Sequence, residues 1–502
     1  MPFNNLINKI MLLRIPQIEN FMHNPIDTQH KVFQYLIESA KNTVWGNYYD
    51  YKSIKDEEMF AKRVPINTYE DLLPFFERIL KGEQNVLWNS DIKWFSKSSG
   101  TTSSRSKFIP VSKESLEECH YKGGKDMLAI YCNNHPDTNL FKGSSLALGG
   151  SHQEDKSISD MFLGDVSAIL IDNLPFWAEW YRVPKKEIAL LSDWELKLQM
   201  MTQSVSAKNV TSLSGVPSWM LVLLKGIMDY TGKTIKEVWP ELEVYFHGGV
   251  SFKPYLKQYQ QILDTSVNYM ETYNASEGFF GLQARTDSSS MLLLLDYGIY
   301  YEFVPFDELE STNPKTLPLA DVELNKNYAM LISTNGGLWR YMIGDTIMFT
   351  EKTPYRFKIT GRTKNFINMC GEEVIVNNSD KAMSIAARAT NATIKDYTGA
   401  PYIDKQNDLR SHQWIVEFSQ EPDSLEKFIE ILDESLRNVN SDYDAKRYKN
   451  FVLQRPIVIK AKENTFYNWL KSKGKLGGQH KIPRLSNDRK FIEEIININN
   501  NI

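Results

Sequence analysis

Five short segments of this chain carry side chains that can bind or move charge. The sharpest is residues 98–107, SSGTTSSRSK, which follows Trp94-Phe95 and so leaves a strand. Ser98, Ser99, Thr101 and Thr102 crowd around Gly100, so backbone N–H groups and hydroxyls can close on phosphate oxygens, and Lys107 can neutralise charge there. The GxxxxGK[ST] pattern of a Walker A loop is absent. Read alone, the segment is equally a polar surface loop. The second segment is 273–278, YNASEG. An aromatic, small residues and a carboxylate just after a β-rich run can stack a base and hold a cation, and Glu277 is of the type that ligates Mg²⁺ between phosphates. The bland alternative is a turn capped by Ser276.

In the third segment, 338–345 (LWRYMIGD), Gly344-Asp345 at a strand end places a carboxylate where it can accept two ribose hydroxyls. Arg340 can reach a phosphate or pair with Asp345. Most Gly-Asp pairs are simply turns. The fourth, 359–374 (ITGRTKNFINMCGEEV), puts a Gly-Arg after a strand and reads as a hinge with a charged handle. The fifth, 474–485 (GKLGGQHKIPRL), is made flexible by three glycines and basic by Lys475, His480, Lys481 and Arg484. A mobile lysine there can meet charge developing on a phosphate leaving group; unaided, a solvated loop is the simpler reading. No Ser-His-Asp set stands out, and His247 in HGG (247–249) reads as structural beside glycines that let backbone approach a flat ligand.

The elements that must position these segments change character along the chain. Residues 1–92 are predicted to be mostly helical, with amphipathic stretches at Gln29–Lys41 and Tyr69–Lys81 and Thr68 as the cap of the second. Short apolar or β-rich runs follow at 144–150, 166–171, 243–247, 267–271 and 291–295, alternating with helical stretches at Trp219–Tyr230 and Pro254–Leu263. That alternation predicts α/β units and a partly parallel sheet. Residues 297–304, 328–333 and 338–349 read as antiparallel strands with a turn at Asn335-Gly336. After Gly361 the texture resets: a strand-like 366–376, a helix near 378–389, a strand at 413–418 and a helix at 424–438. The Asn-rich tail IININNNI is expected to fray. The reading is therefore an α/β (α+β) chain of two domains, residues 1–361 and a smaller mobile α+β domain at 362–502; 502 residues exceed what one core holds.

Composition excludes several classes. A net charge of −4 gives no basic surface for nucleic acid. Cys119, Cys132 and Cys370 have no CxxC or metal-ligand spacing and read as reduced thiols in a cytosol. There is no run of about 20 apolar residues to cross a bilayer, and no signal-peptide core, so a cytoplasmic chain, monomeric by default, is expected.

The five segments occur in one order, and in that order the chain resembles the acyl-adenylate-forming superfamily of acyl-CoA synthetases, adenylation domains and luciferases. Within it, the chain is similar to the auxin-responsive promoter (Gretchen Hagen) family of acyl acid amido synthetases over nearly its whole length. SSGTTSSRSK resembles that family's SSGTSxGxxK loop, YNASEG its ASEG-type motif, LWRYMIGD its YRxGD motif, and ITGRTKNFI the superfamily's GRxK hinge. The resemblance implies a large N-terminal domain with β-sheets, and a C-terminal domain that rotates between half-reactions. It implies ATP and Mg²⁺, and a carboxylic acid and an amino acid as small-molecule substrates joined as an amide through an acyl-adenylate. It assigns Ser98, Ser99, Gly100, Thr101, Thr102 and Lys107 to phosphates. It sets Tyr273 on adenine with Ala275 and Ser276 beside it, Glu277 at Mg²⁺, and Asp345 on ribose with Arg362 close by. Lys364 would mark the hinge, Arg340 would meet phosphate, and Lys481, with Lys475 second, would be the lysine that touches the adenylate. Ser104 stands where the family's loop has glycine, so a loop needing φ > 0 there bends differently.

Candidate linings for an acyl pocket are 214–224, the HGGV loop and the aromatic run 176–181. Two rival readings share the motifs: an acyl-CoA ligase with a thiol acceptor, and a silent nucleotide- or acyl-binding protein.

Overall fold

The computed structural model describes residues 2–98, 107–150, 161–249, 252, 255–309, 311, 313–363, 366–367, 369, 372, 374–404, 409–447, 453–474, 476 and 482–502. The N-terminal region is helical, including Pro25–Ala40 and Tyr69–Leu80. Thr68 caps the latter reciprocally: its hydroxyl accepts the Asp71 N–H, and the Asp71 carboxylate accepts the Thr68 N–H at 2.8 Å.

The strands begin with the hairpin β1 (Trp94–Ser98) and β2 (Lys107–Val111). Then come β3 (Ser144–Ala147), β4 (Phe162–Gly164), β5 (Arg182–Val183), β6 (Val210–Gly215) and β7 (Val244–Gly248). A mostly antiparallel run follows: β8 (Asn268–Ala275), β9 (Gly278–Leu282), β10 (Met291–Leu293), β11 (Ile299–Pro305), β12 (Leu317–Pro318), β13 (Asn327–Thr334), β14 (Tyr341–Lys352) and β15 (Tyr355–Arg362). The last are β16 (Phe366–Ile367), β17 (Val374–Ile375), β18 (Thr393–Asp404), β19 (Leu409–Gln420) and β20 (Ile457–Ala461).

Among the described residues one twelve-stranded sheet runs β12-β11-β13-β14-β15-β10-β9-β8-β7-β6-β3-β5. Its β5-β3-β6-β7-β8 side is parallel. That side needs crossovers, which the helices Trp194–Val205, Pro217–Thr231 and Leu256–Ile262 supply. From β8 onward the pairing turns antiparallel, starting with the tight β8–β9 hairpin. The change from crossovers to hairpins puts the carboxyl ends of β3, β6, β7 and β8 on one edge, where α/β sheets bind ligands.

The smaller C-terminal part packs the helices Val376–Ala389 and Leu425–Val439 against the β18-β19-β20 sheet, around Met383, Tyr397, Trp414, Phe428 and Leu432. A shared cluster ties it to the large sheet: Leu223 and Leu224 of Pro217–Thr231 lie with Ile415, Phe466 and Trp469.

Two expectations are corrected. Residues 166–171 are not a strand but part of the helix Val166–Asp172, whose Ile169 packs with Val111 and Leu116. A six-residue apolar run has no period of its own, so its packing decides. The Asn-rich tail does not fray: Lys490–Asn501 is a helix burying Ile492 and Ile495. Its Asn499 Oδ1 accepts the Lys462 N–H at 2.7 Å and the Thr465 hydroxyl at 3.0 Å.

Candidate functional site

The YNASEG segment is the β8–β9 hairpin itself. Ala275 ends β8 opposite Gly278 of β9, leaving Ser276 and Glu277 as the turn. The Ser276 hydroxyl accepts from the buried Ser96 on β1 at 2.8 Å, so the strand that feeds the Ser/Thr-rich segment is tied to this turn. Ser98 ends β1 opposite Lys107, which opens β2. Ser99, Gly100, Thr101, Thr102, Ser104 and Arg105 lie outside the described residues. The Lys107 ammonium sits 5.1 Å from the centre of the Tyr69 ring and bears electrostatically on Glu277. Burial pushes the Glu277 carboxyl up, and Asp345 adds to this while Arg362 and Lys107 oppose it. A buried carboxylate beside a second carboxylate is a donor set that a divalent cation suits.

Asp345 and Arg362 face each other across β14 and β15, and Arg362 Nε donates to Asp345 Oδ1 at 2.6 Å. Gly344, at φ +89°, makes the kink that precedes Asp345, and its carbonyl accepts the Thr363 N–H at 2.8 Å. The other Asp345 oxygen accepts the Tyr273 hydroxyl at 2.5 Å. Tyr273 and Asp345 sit on strands four steps apart in the sheet order, which in a flat sheet is about 19 Å. The hydrogen bond therefore requires the sheet to curl. Gly281 permits the curl, since a Cβ there would lie 2.7 Å from the Phe357 ring.

Tyr273 differs from its expected role. Its ring is 6 % exposed, packed against Phe280 at 4.9 Å and Phe357 at 6.1 Å. What it presents to the site is its hydroxyl, on Asp345, rather than an open face for a base. Arg340 is a clearer correction. It is buried, takes φ +41°, and its guanidinium is held by both Glu302 oxygens at 2.8 and 2.9 Å, the Ala61 and Val64 carbonyls and the Thr316 hydroxyl. These contacts fill its five N–H donors, so it meets neither Asp345 nor a phosphate. Its work is to bind the N-terminal helices to the sheet. Lys364, Lys475 and Lys481 lie outside the described residues. Arg484, in the same basic segment, is ion-paired to Asp396 and lies over the Tyr397 ring.

Tyr273, Ala275, Ser276, Glu277, Asp345 and Arg362 line one cavity of about 840 Å³, walled on its far side by residues of the C-terminal part such as Lys395, Phe466 and Arg484. A second cavity of about 1030 Å³ lies at the carboxyl ends of β3, β6, β7 and β8. The two meet at Trp219, Gly249, Thr272 and Asn274. All three candidate acyl-lining segments reach the second cavity, through Trp219, Gly248 and Gly249, and Ala178, Trp180 and Tyr181. Glycine is required at 248, where a Cβ would lie 2.3 Å from the Thr272 carbonyl oxygen. His247 is buried, stacked on Phe252 at 4.0 Å, and desolvation pulls its imidazole down to about 3, which suits the structural part the sequence gave it.

Three positions escaped the sequence reading. His120 Nδ1 lies 3.0 Å from Asn274 Oδ1 at the junction, and burial lowers it to about 4; no motif marks it. Lys197 is buried and donates to the Gly149 and Gly150 carbonyls at 2.8 and 3.0 Å, holding the end of β3; desolvation lowers it to about 8. Its position, three after Trp194 and four before Met201, makes it a lysine on an apolar helix stripe, which periodicity could have exposed. The Glu302 partner of Arg340 carries no signal.

Models of the GH3 family N-terminal, central and C-terminal domains match residues 14–267, 292–362 and 377–490. The chain is 22% identical over 442 residues to an indole-3-acetic acid-amido synthetase (GH3.2) of Arabidopsis thaliana, covering 74% of this chain and 80% of that protein. It is 22% identical to the 4-substituted benzoates-glutamate ligase GH3.12 of Arabidopsis thaliana, covering 87% and 89%. In fold it is similar to the GH3.15 acyl acid amido synthetase, with a TM-score of 0.78, 18% identity and 96% and 95% coverage. More distantly, it shares a fold with a 2-hydroxyisobutyryl-CoA ligase in its postadenylation state, at TM-score 0.58, 13% identity and 99% and 92% coverage.

Proposed function

The chain belongs to the GH3 family, and on that premise we propose that it is an ATP-dependent acyl acid amido synthetase of the adenylate-forming superfamily. The observation that carries the reading is the junction of two cavities: a polar one built on Glu277, Asp345 and Arg362, and an apolar one at the ends of the parallel strands.

In the first half-reaction an oxygen of the substrate carboxylate forms a bond to the α-phosphorus of ATP as the bond to the β-phosphate oxygen breaks, giving acyl-AMP and pyrophosphate. In the second, an amino acid nitrogen forms a bond to the acyl carbon, the bond to AMP breaks, and the amine loses a proton. A carboxylate is a poor acyl donor, so the anhydride supplies the leaving group, and the protein's part is positioning and charge compensation. Asp345, held from two sides by Tyr273 and Arg362, keeps free lone pairs for ribose hydroxyls. Ser98, Ser99, Gly100, Thr101, Thr102 and Lys107 would line the phosphates. Glu277 would hold Mg²⁺, which when bound offsets phosphate charge. Lys481 would reach the adenylate from the C-terminal part (362–502), which would rotate between half-reactions about Lys364. A thiol acceptor is not favoured, because the relatives named above with most of their length matched join acids to amines.

No helix among the described residues is long and apolar enough to cross a membrane. Buried Cys119 and Cys132 suit a reducing cytoplasm, where the reading puts a monomer acting on small molecules.

ATP–pyrophosphate exchange over a panel of carboxylic acids tests the reading. Acid-dependent exchange that disappears in Glu277→Ala and Asp345→Ala supports it; a folded protein that binds no ATP defeats it.

A further inference from the structure

The second cavity has an asymmetry that bears on the acid. At about 1030 Å³ it lies at the top of the range that holds drug-sized ligands, and a single-ring acid would leave most of its wall uncovered. One side is the N-terminal helix Pro2–Leu12, which contributes Leu6, Ile7, Ile10 and Met11. At the mouth the apolar surface continues into solvent: Leu6 is 55% exposed, Ile10 51% and Trp180 78%. Apolar surface left open at a cavity rim is a cost that a ligand long enough to cover it would remove.

The inner end is different. Trp219 sits where this cavity meets the Glu277–Asp345 cavity, edge-on to Trp194 at 4.5 Å. It is 7% exposed, and its Nε1–H has no hydrogen-bond partner among the described residues. Other buried or half-buried polar groups on the wall are committed: Arg14 to Asp126, His120 to Asn274, Tyr121 to the Leu170 carbonyl and Arg182 to Glu179. An indole donor left unpaired in the interior is costly unless a ligand supplies the acceptor. Trp219 also lies in the first turn of Pro217–Thr231, whose amino end favours negative charge.

We propose that the acyl substrate is a long or multi-ring lipophilic monocarboxylic acid. Its carboxylate accepts the Trp219 Nε1–H at the cavity junction, and its body runs out past Ile10 and Trp180. The proposal rests on the adenylation reading above and names its substrate class.

The test is exchange kinetics with benzoate, dodecanoate and hexadecanoate on the wild type, Trp219→Phe and Ile10→Glu. The expected result is a kcat/KM for a long acid at least about tenfold above that for benzoate. Trp219→Phe, which keeps the ring and loses the donor, raises KM for the acid roughly 10- to 100-fold and leaves KM for ATP unchanged. Ile10→Glu, at an exposed rim position, lowers kcat/KM for long acids about tenfold and leaves benzoate alone. Benzoate preferred over both long acids, or an unchanged acid KM in Trp219→Phe, overturns the proposal. If no acid supports exchange, the adenylation reading fails separately. Calorimetric binding of dodecanoate then decides: binding weakened by Trp219→Phe upholds the site, and no binding overturns it.

Discussion

Asp345 on β14 and Tyr273 on β8 are joined by a 2.5 Å hydrogen bond although three strands lie between theirs in the sheet order. The curl that brings them together converts residues 72 apart in sequence into one binding surface, with Arg362 closing it from the next strand.

Removing the Tyr273 hydroxyl isolates this link. Tyr273→Phe is expected to raise KM for ATP about tenfold with a smaller change in kcat, the scale of a lost hydrogen bond to a charged group. Asp345→Ala is expected to abolish exchange. A Tyr273→Phe enzyme with wild-type KM for ATP would show that the hydroxyl does not position Asp345.

Glu277 is predicted to trade stability for function. Its carboxyl is pushed up by burial and by Asp345, so the folded protein binds that proton more tightly than the unfolded chain does. The charged form therefore destabilises the fold as pH rises above the ordinary carboxylate value. Glu277→Gln should lose exchange activity by about 100-fold or more. The same variant should melt slightly higher than wild type at pH 7, and the difference should shrink as pH falls towards 4. Thermal scans across pH without ATP or Mg²⁺ check the sign.

Arg340 is expected to behave as a structural residue. Arg340→Ala leaves Glu302 buried without its partner and should cost about 3–5 kcal/mol in urea unfolding. A double variant, Arg340→Met with Glu302→Leu, should recover much of that loss and retain exchange. If the double variant is as stable as wild type yet inactive, Arg340 belongs to the chemistry after all.

His247 and His120 are both held neutral by burial, at about 3 and about 4. Below about 6.5 the unfolded chain takes up protons that these sites refuse, so stability is full above that pH and falls as pH drops towards 4. With both sites contributing, the limiting slope is about 2.7 kcal/mol per pH unit. His247→Phe, which keeps a ring against Phe252, should roughly halve their contribution to the slope. Unfolding free energies at pH 7, 6 and 5 measure it.

Much of the site was legible because its chemistry is local. A hydroxyl-rich loop between strands, a carboxylate in a two-residue turn and a Gly-Asp at a kink are each specified by a few adjacent residues, and four of the segments lie on the two connected cavities or at their edge. The same holds for the Thr68 cap, set by Asp71 three positions on. What failed was whatever depended on a distant partner. Nothing near Arg340 announces Glu302, 38 residues earlier, and nothing near Tyr273 says that its ring will be enclosed by Phe280 and Phe357. Residues 166–171 and the tail were misread for the same reason: a short apolar run or an Asn-rich end takes its conformation from the surface it packs on.

The sequence by itself determined the order of chemical groups, the alternation of strand and helix, and through both the family. Tertiary structure alone decided which of those groups converge, because convergence depends on the curl of a sheet. It also decided which polar atoms are left unpaired, because that depends on every neighbour at once. Asp345 is a carboxylate at a strand end in either description; only the fold makes it the partner of Tyr273, and only the fold leaves Trp219 with a donor and nothing to give it to.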